Sequence, residues 1–272
     1  MCRWLIAVTL AFLPSLAWAG EAIEVVAPTQ LPMLIVSLRG QSNADGRAAA
    51  PPNLRFLHHP DRIFTYLRRW VHASGLIADE TGKQSVSLTH GKDEFNAGPT
   101  LADELATRLP PNYAIGVILC ARGGTSIDDW AIGGTLDRGC RDRIAAALAQ
   151  APAGSRYVAD VFYQGETDAD SNAHADAWPT KYLAIAAENK SRYGPGFINV
   201  FTVLGPDPKI NCCWARLQSD QQAMTLPAGV LRVSATDLAG KPGNLVHLDT
   251  NSQITLGRRY GAAIAAAMSL PQ

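Results

Sequence analysis

The chain has 272 residues, 47% of them hydrophobic, and its 24 Lys and Arg are balanced by 24 Asp and Glu. Once a short N-terminal leader is set aside, that length fits one large core, near the upper limit of a single domain. With no net charge and no basic run, the sequence offers nothing to nucleic acid or to an acidic membrane surface, and those partners are excluded.

Residues 1–19 read as a cleaved leader. Arg3 supplies the positive start, residues 4–13 are apolar, and Ala17-Trp18-Ala19 has the spacing of a cleavage site before Gly20. The apolar stretch is shorter than the roughly 20 residues a membrane span needs, and no later stretch reaches that length. The expectation is a single exported domain over residues 20–272, periplasmic or secreted and free of the membrane.

Beyond the leader, short apolar runs alternate with helical patterns. Residues 33–38 read as a strand buried on both faces. The strand leads into Gly40-Gln41-Ser42-Asn43. A serine just past a buried strand is easily exposed and held, which makes Ser42 the candidate nucleophile. Residues 47–96 break the alternation with Pro51-Pro52 and His58-His59-Pro60. This long excursion is expected to carry short strands near residues 63–67 and 85–88 and to form part of a substrate rim. A helix over residues 100–108 and a strand over 114–120 follow. Next comes Arg122-Gly123-Gly124-Thr125-Ser126, where glycine lets backbone approach a ligand closely. Asp128 and Asp129 precede Trp130, whose ring suits stacking on a sugar face.

A helix over residues 138–150 and a strand over 157–163 lead to Gln164-Gly165-Glu166. A helix over 174–193, strands over 197–204 and 230–234, and an alanine-rich helix over 252–268 complete the pattern. Residues 207–216 read as a loop, and His247 falls just before the last helix. This alternation predicts an α/β sandwich around a parallel sheet of about five strands. Ligands bind such sheets outside the carboxyl ends of the strands, and every polar cluster named above sits at such an end.

A serine hydroxyl needs a base, and His247 is the best candidate. His58, His59, His72 and His90 fall in the excursion, and His174 begins a helix. Acyl chemistry also needs donors aimed at the developing oxyanion. The backbone amides of Ser42 and of Gly123 or Gly124, with the Gln164 side chain, are placed to supply them. Glu166, after a buried strand, is suited to brace a loop or to partner His247. Cys2 leaves with the leader, so Cys120, Cys140, Cys212 and Cys213 suggest two disulfides. A bond between adjacent Cys212 and Cys213 closes a strained ring, so each is expected to reach one of Cys120 and Cys140. No C-x-x-C occurs and His58-His59 lacks nearby ligands, so no metal is expected.

Taken in order, these clusters resemble the SGNH (GDSL-like) hydrolase superfamily, and within it the branch of sialate O-acetylesterases and related acetylxylan esterases. Gly40-Gln41-Ser42-Asn43 matches the nucleophile motif, and Gly98-Pro99 matches the start of the following helix. Gly123-Gly124-Thr125-Ser126 with Trp130, Gln164-Gly165-Glu166 with Asp168, and His247 with Leu256-Gly257 match the rest. The resemblance implies a three-layer, flavodoxin-like α/β/α fold and a serine esterase without metal or organic cofactor. It implies an acetylated carbohydrate as substrate, attack by Ser42, proton transfer to His247, and an oxyanion held by Ser42, Gly124 and Gln164. It puts Asn43, Thr125 and Trp130 on the substrate side. One position departs from the pattern: the superfamily's Asp three residues before the histidine is Asn244 here. A neutral amide stabilises an imidazolium less than a carboxylate does. A main-chain carbonyl, Asn244, Glu166 and Asp249 therefore all remain candidates to orient His247. The same departure motivates a rival, a catalytically impaired glycan-binding protein on this fold. An esterase of broad specificity for small esters is a third reading, and no Gly-x-Ser-x-Gly elbow is present.

Overall fold

The computed structural model describes residues 29–51, 56–72 and 94–268. The expected leader and the strand expected near residues 85–88 lie outside the described residues. In chain order the elements are β1 (Met33–Gly40), α1 (Ser42–Asp45), β2 (Ala48–Ala49), β3 (Ile63–Tyr66), β4 (Trp70–His72), β5 (Glu94–Phe95), α2 (Gly98–Arg108) and β6 (Ala114–Ala121). There follow α3 (Thr135–Ala149), β7 (Arg156–Tyr163), α4 (Asn172–Tyr193), β8 (Ile198–Val203), α5 (Trp214–Ala223), β9 (Val230–Ser234), β10 (Gly240–Lys241), β11 (Asn244–Leu248) and α6 (Thr250–Ala267).

Seven strands form the main sheet in the order β4-β3-β6-β1-β7-β8-β9. All neighbours are parallel except β4, which runs antiparallel to β3 at the edge. All eight residues of β1 are buried, as a central parallel strand covered on both faces requires. Alternation along β1 divides the core. Leu34, Val36 and Leu38 pack with Leu101 and Leu105 of α2 and Tyr260 and Ile264 of α6. Met33 and Ile35 pack with Ile144 and Ala147 of α3. Rings from α4 close the sheet beside β7 and β8: Trp178 stacks on Tyr182, and Tyr182 contacts Phe162 and Phe201.

The layered α/β architecture is the one the sequence predicts, with two strands more than expected. Residues 63–66 do not stay in a separate excursion, because Ile63, Phe64 and Thr65 pair with Ile115, Gly116 and Val117 of β6. Trp70–His72 then folds back as a further edge strand. Helix α5 lies partly in the segment read as a loop. It is ten residues long and buries only Trp214, Leu217 and Gln221, a pattern too short to stand out in sequence.

The expected disulfide pairing is overturned. Cys120 bonds Cys140, and Cys212 bonds Cys213. Cys120 on β6 and Cys140 on α3 face each other inside one core cluster, with Cα atoms 5.3 Å apart. Cys213 belongs to the other cluster, beside α5 and Ala169, so the cross-pairing would have to pass through the sheet layer.

Helix α6 reaches its place by backbone contact with α2. A Cβ on Gly257 would lie 2.0 Å from Thr100 Oγ1 and 2.3 Å from the Ala97 carbonyl oxygen. Gly257→Ala therefore must push the helices apart and is expected to lower unfolding stability by about 1–3 kcal/mol in chemical denaturation. An unchanged denaturation midpoint would contradict this packing.

Candidate active site

The chain turns sharply where β1 ends. Gly40 has φ +129°, and a Cβ there would sit 1.9 Å from the Tyr163 carbonyl oxygen, so no side chain fits. The turn is pinned on both sides: Gln41 N–H donates to Tyr163 O at 3.0 Å, and Arg122 N–H donates to Gly40 O at 2.9 Å. Ser42, the first residue of α1, is thus held at the carboxyl rim between the ends of β6 and β7. Gly123 lies against it, since a Cβ on Gly123 would be 3.7 Å from Ser42 Cβ.

His247, 205 residues away in sequence, places Nε2 2.9 Å from Ser42 Oγ. Its strand β11 is clamped by Asn43. The Asn43 Nδ2 donates to Val246 O at 2.9 Å, and Leu248 N–H donates to Asn43 Oδ1 at 2.9 Å. Both neighbours of the histidine are therefore tied to the residue next to the serine. Gln253 of α6 adds a bond from Nε2 to Asn43 O at 3.1 Å.

None of the side chains expected to orient His247 makes a hydrogen bond to its ring among the described residues. Asn244 is exposed at the start of β11 and makes no hydrogen bond to the imidazole among the described residues. Asp249 caps α6, accepting from Ser252 N–H at 2.8 Å. Glu166 accepts from Asn43 Nδ2 at 2.8 Å, so it touches the clamp and not the imidazole. The His247 Nδ1 has no hydrogen-bond partner among the described residues. Half-burial, then the cations Arg47 and Lys241, hold the His247 pKa below 6.5. Neither cation carries a sequence signal. Arg47 ion-pairs with Asp45 and Glu94, and its carbonyl accepts from Lys241 Nζ at 3.0 Å.

Three further side chains expected at the site are turned inward. Asn43 is 1% exposed and spends its amide on the clamp. Trp130, 2% exposed, donates to Thr125 Oγ1 at 3.0 Å and meets Phe162 edge-on, so its ring faces are not open to a sugar. The Thr125 hydroxyl is buried too, donating to Arg122 O at 2.9 Å. Gln164, expected to donate to the oxyanion, makes its hydrogen bonds within the protein. Fully buried, it directs its amide hydrogens to Thr125 O and Asp168, and accepts from Trp178 Nε1 at 2.7 Å. Asp168 in turn accepts from Ile127 N–H. Gln164 and Asp168 thus buttress the glycine turn from behind. Among the described residues no cluster of His, Cys, Asp or Glu is placed to hold a metal ion.

Glu166 is the costly member of this network. Burial raises its pKa to about 8 against the opposing pull of the Asn43 bond, and Oε2 has no hydrogen-bond partner among the described residues. The raised pKa means its contribution to stability is complete below 4.5 and is lost as pH rises towards 8. Glu166→Gln keeps an oxygen acceptor for Asn43 and cannot ionise. Relative to wild type, the variant should gain on the order of 2 kcal/mol between about pH 6 and pH 9 in denaturant titrations. A constant difference across that range would show that the carboxyl is already ionised.

A family model described as carbohydrate esterase, sialic acid-specific acetylesterase, matches residues 32–266. No curated protein matches the sequence. An Arabidopsis thaliana protein of solved structure superposes with a TM-score of 0.69 at 23% identity, over 87% of this chain and 98% of that one. NanS superposes with a TM-score of 0.65 at 14% identity, over 86% and 97%. A carbohydrate acetylesterase from Xanthomonas citri gives a TM-score of 0.55 at 18% identity, over 88% and 57%. At these identities the three structures share the fold with this chain.

Proposed function

The chain belongs to the sialic acid-specific acetylesterase family of carbohydrate esterases, and from that premise we propose that it is an exported serine esterase that removes O-acetyl groups from a carbohydrate. The observation that carries the reading is the 2.9 Å contact between Ser42 Oγ and His247 Nε2. Ser42 Oγ attacks the acetyl carbonyl carbon while His247 Nε2 takes its proton. The tetrahedral oxyanion is met by the N–H groups of Ser42 and Gly124, neither of which has a hydrogen-bond partner among the described residues. His247 returns the proton to the departing sugar oxygen. Water, deprotonated by the same imidazole, then attacks the acyl carbon, and Ser42 is regenerated as acetate leaves.

The base works here as one half of a dyad. Its orientation is supported by the two main-chain bonds to Asn43 rather than by a carboxylate on Nδ1. Loss of the acid partner in a triad lowers turnover without removing it, so a slow but real esterase is expected. Export accords with the leader-like residues 1–19, and no helix among the described residues is long and apolar enough to cross a membrane.

Acetate release from p-nitrophenyl acetate and from acetylated glycans tests the reading. Ser42→Ala and His247→Ala should each lose at least about 100-fold in kcat. Wild-type protein as slow as Ser42→Ala, but still binding sugar, would leave the glycan-binding alternative. The pH profile is a second test. Because the base must be neutral and its pKa is lowered, the acid limb of kcat/KM should have its midpoint below 6.5. Arg47→Gln removes a nearby cation and should move that midpoint upward. A midpoint that stays put would separate Arg47 from the site.

A further inference from the structure

The open side of Gly123 faces two groups at once. Apart from its chain neighbours, a Cβ built there would meet only Arg47 Nη2, at 3.1 Å, and Ser42 Cβ, at 3.7 Å, among the described residues. The guanidinium and the nucleophile therefore share one gap over the glycine turn. The chain aims Arg47 into it. Gly46, whose N–H closes α1 on Ser42 O at 2.8 Å, has φ +107° and turns the backbone sharply after the short helix. The head group is then pinned. Nη1 donates to Gly46 O at 2.6 Å and to Glu94 Oε2 at 2.7 Å, and Nη2 donates to Asp45 Oδ2 at 2.8 Å. Glu94 is itself fixed, because β5 pairs with β2 just beyond Arg47. A guanidinium has five N–H donors in a rigid fork. Three are used here, and the second Nη2 hydrogen has no partner among the described residues. The side chain is 29% exposed, so the cleft reaches it. A base alone does not account for a cation in this place. After burial, Arg47 is the larger of the two charges that lower the His247 pKa, which opposes proton transfer to the imidazole. The same charge favours an oxygen turning negative in the same step.

We infer that Arg47 is a further catalytic residue of this site, its free Nη2 hydrogen donating to the oxyanion that forms when Ser42 attacks the acetyl carbonyl. The inference rests on the esterase reading of Ser42 and gives the oxyanion a third, charged donor beside the N–H groups of Ser42 and Gly124. As the Ser42 Oγ–carbon bond forms, the carbonyl π pair moves onto oxygen, and the charge grows in the gap that Gly123 leaves open. A donor already held by two carboxylates needs no rearrangement at that moment, and a charge-assisted bond is stronger than a neutral one. Position 123 must then be a glycine, because any side chain would fill the space between serine and cation.

The test measures kcat and KM for p-nitrophenyl acetate on the plateau above the acid limb, where His247 is neutral in every variant. A role through the imidazole alone predicts that Arg47→Gln holds the plateau or raises it, since the base becomes stronger. A donor to the oxyanion predicts a fall of about 100-fold or more in kcat with KM changed by less than about threefold. Inhibition by methylboronic acid, which forms a tetrahedral anion on serine, should weaken in step with kcat. Arg47→Lys keeps the cation and is the second variant should Arg47→Gln not fold. One ammonium cannot hold both carboxylates and fill the gap, so this variant should stay at least about tenfold below wild type on the plateau. A plateau within about threefold of wild type in a folded variant, or a lower kcat with unchanged boronate inhibition, would overturn the role of Arg47. If Ser42-dependent acetate release persists in that case, only this role fails. If no probe gives Ser42-dependent acetate, the esterase reading fails and the role of Arg47 falls with it.

Discussion

One side chain sets the geometry on which the site depends. Asn43 donates to the residue before His247 and accepts from the residue after it. It is also covalently next to Ser42. The serine and the histidine come from opposite ends of the chain, so fixing their separation means fixing β11 to α1. A single buried amide does this with two hydrogen bonds to main chain, and its neighbour Glu166 takes the remaining amide hydrogen. The arrangement holds the imidazole through its backbone. A triad carboxylate would hold it through the ring itself, which adds electrostatic support for the imidazolium.

The rest of the fold presents this clamp at the sheet rim. The central strand β1 is buried along its whole length, so it delivers Ser42 at a fixed height. Gly40 allows the chain to bend against the end of β7 where any side chain would collide. The two glycines of α6 that contact α2 let the helix after His247 settle onto backbone, which sets the far end of the clamp. Behind the glycine turn, Gln164 and Asp168 fill the space with satisfied polar groups. Buried polar networks of this kind are stable only when nearly every member is paired; Glu166 Oε2 and Gln253 Oε1 are left without a partner among the described residues, and the first carries a pH dependence.

The parts of this account legible in the sequence are those with one-dimensional signals. A strand buried on both faces is a run of apolar residues, and all five such runs became strands of the main sheet. Ser42 and His247, which the fold brings within 2.9 Å of each other, stood out because a serine and a histidine follow strand-like runs in a set order. What side chains near the serine do depends on which way they point, and sequence does not encode that directly. Asn43, Thr125 and Trp130 are polar or aromatic in a motif, which reads as substrate contact, yet each is turned into the interior. Gln164 is likewise buried, with its amide bonded inside the protein. Asn244 had only its spacing from the histidine, and in the irregular strand β11 that spacing does not bring its side chain to the imidazole. The disulfides needed knowledge of which side of the sheet each cysteine faces. Arg47 and Lys241 had no pattern at all, since an isolated cation gains meaning only from what it lies beside.

The central claim is that the Ser42 hydroxyl is an activated nucleophile whose activation depends on the Asn43 clamp. Covalent labelling of intact protein by a fluorophosphonate, located by peptide mass spectrometry and timed, tests it most directly. The account predicts one adduct, on Ser42, in the wild type, and labelling slowed by about tenfold or more in folded Asn43→Ala. A folded wild-type protein that takes no label at Ser42, or an Asn43→Ala variant labelled at the wild-type rate, would contradict it.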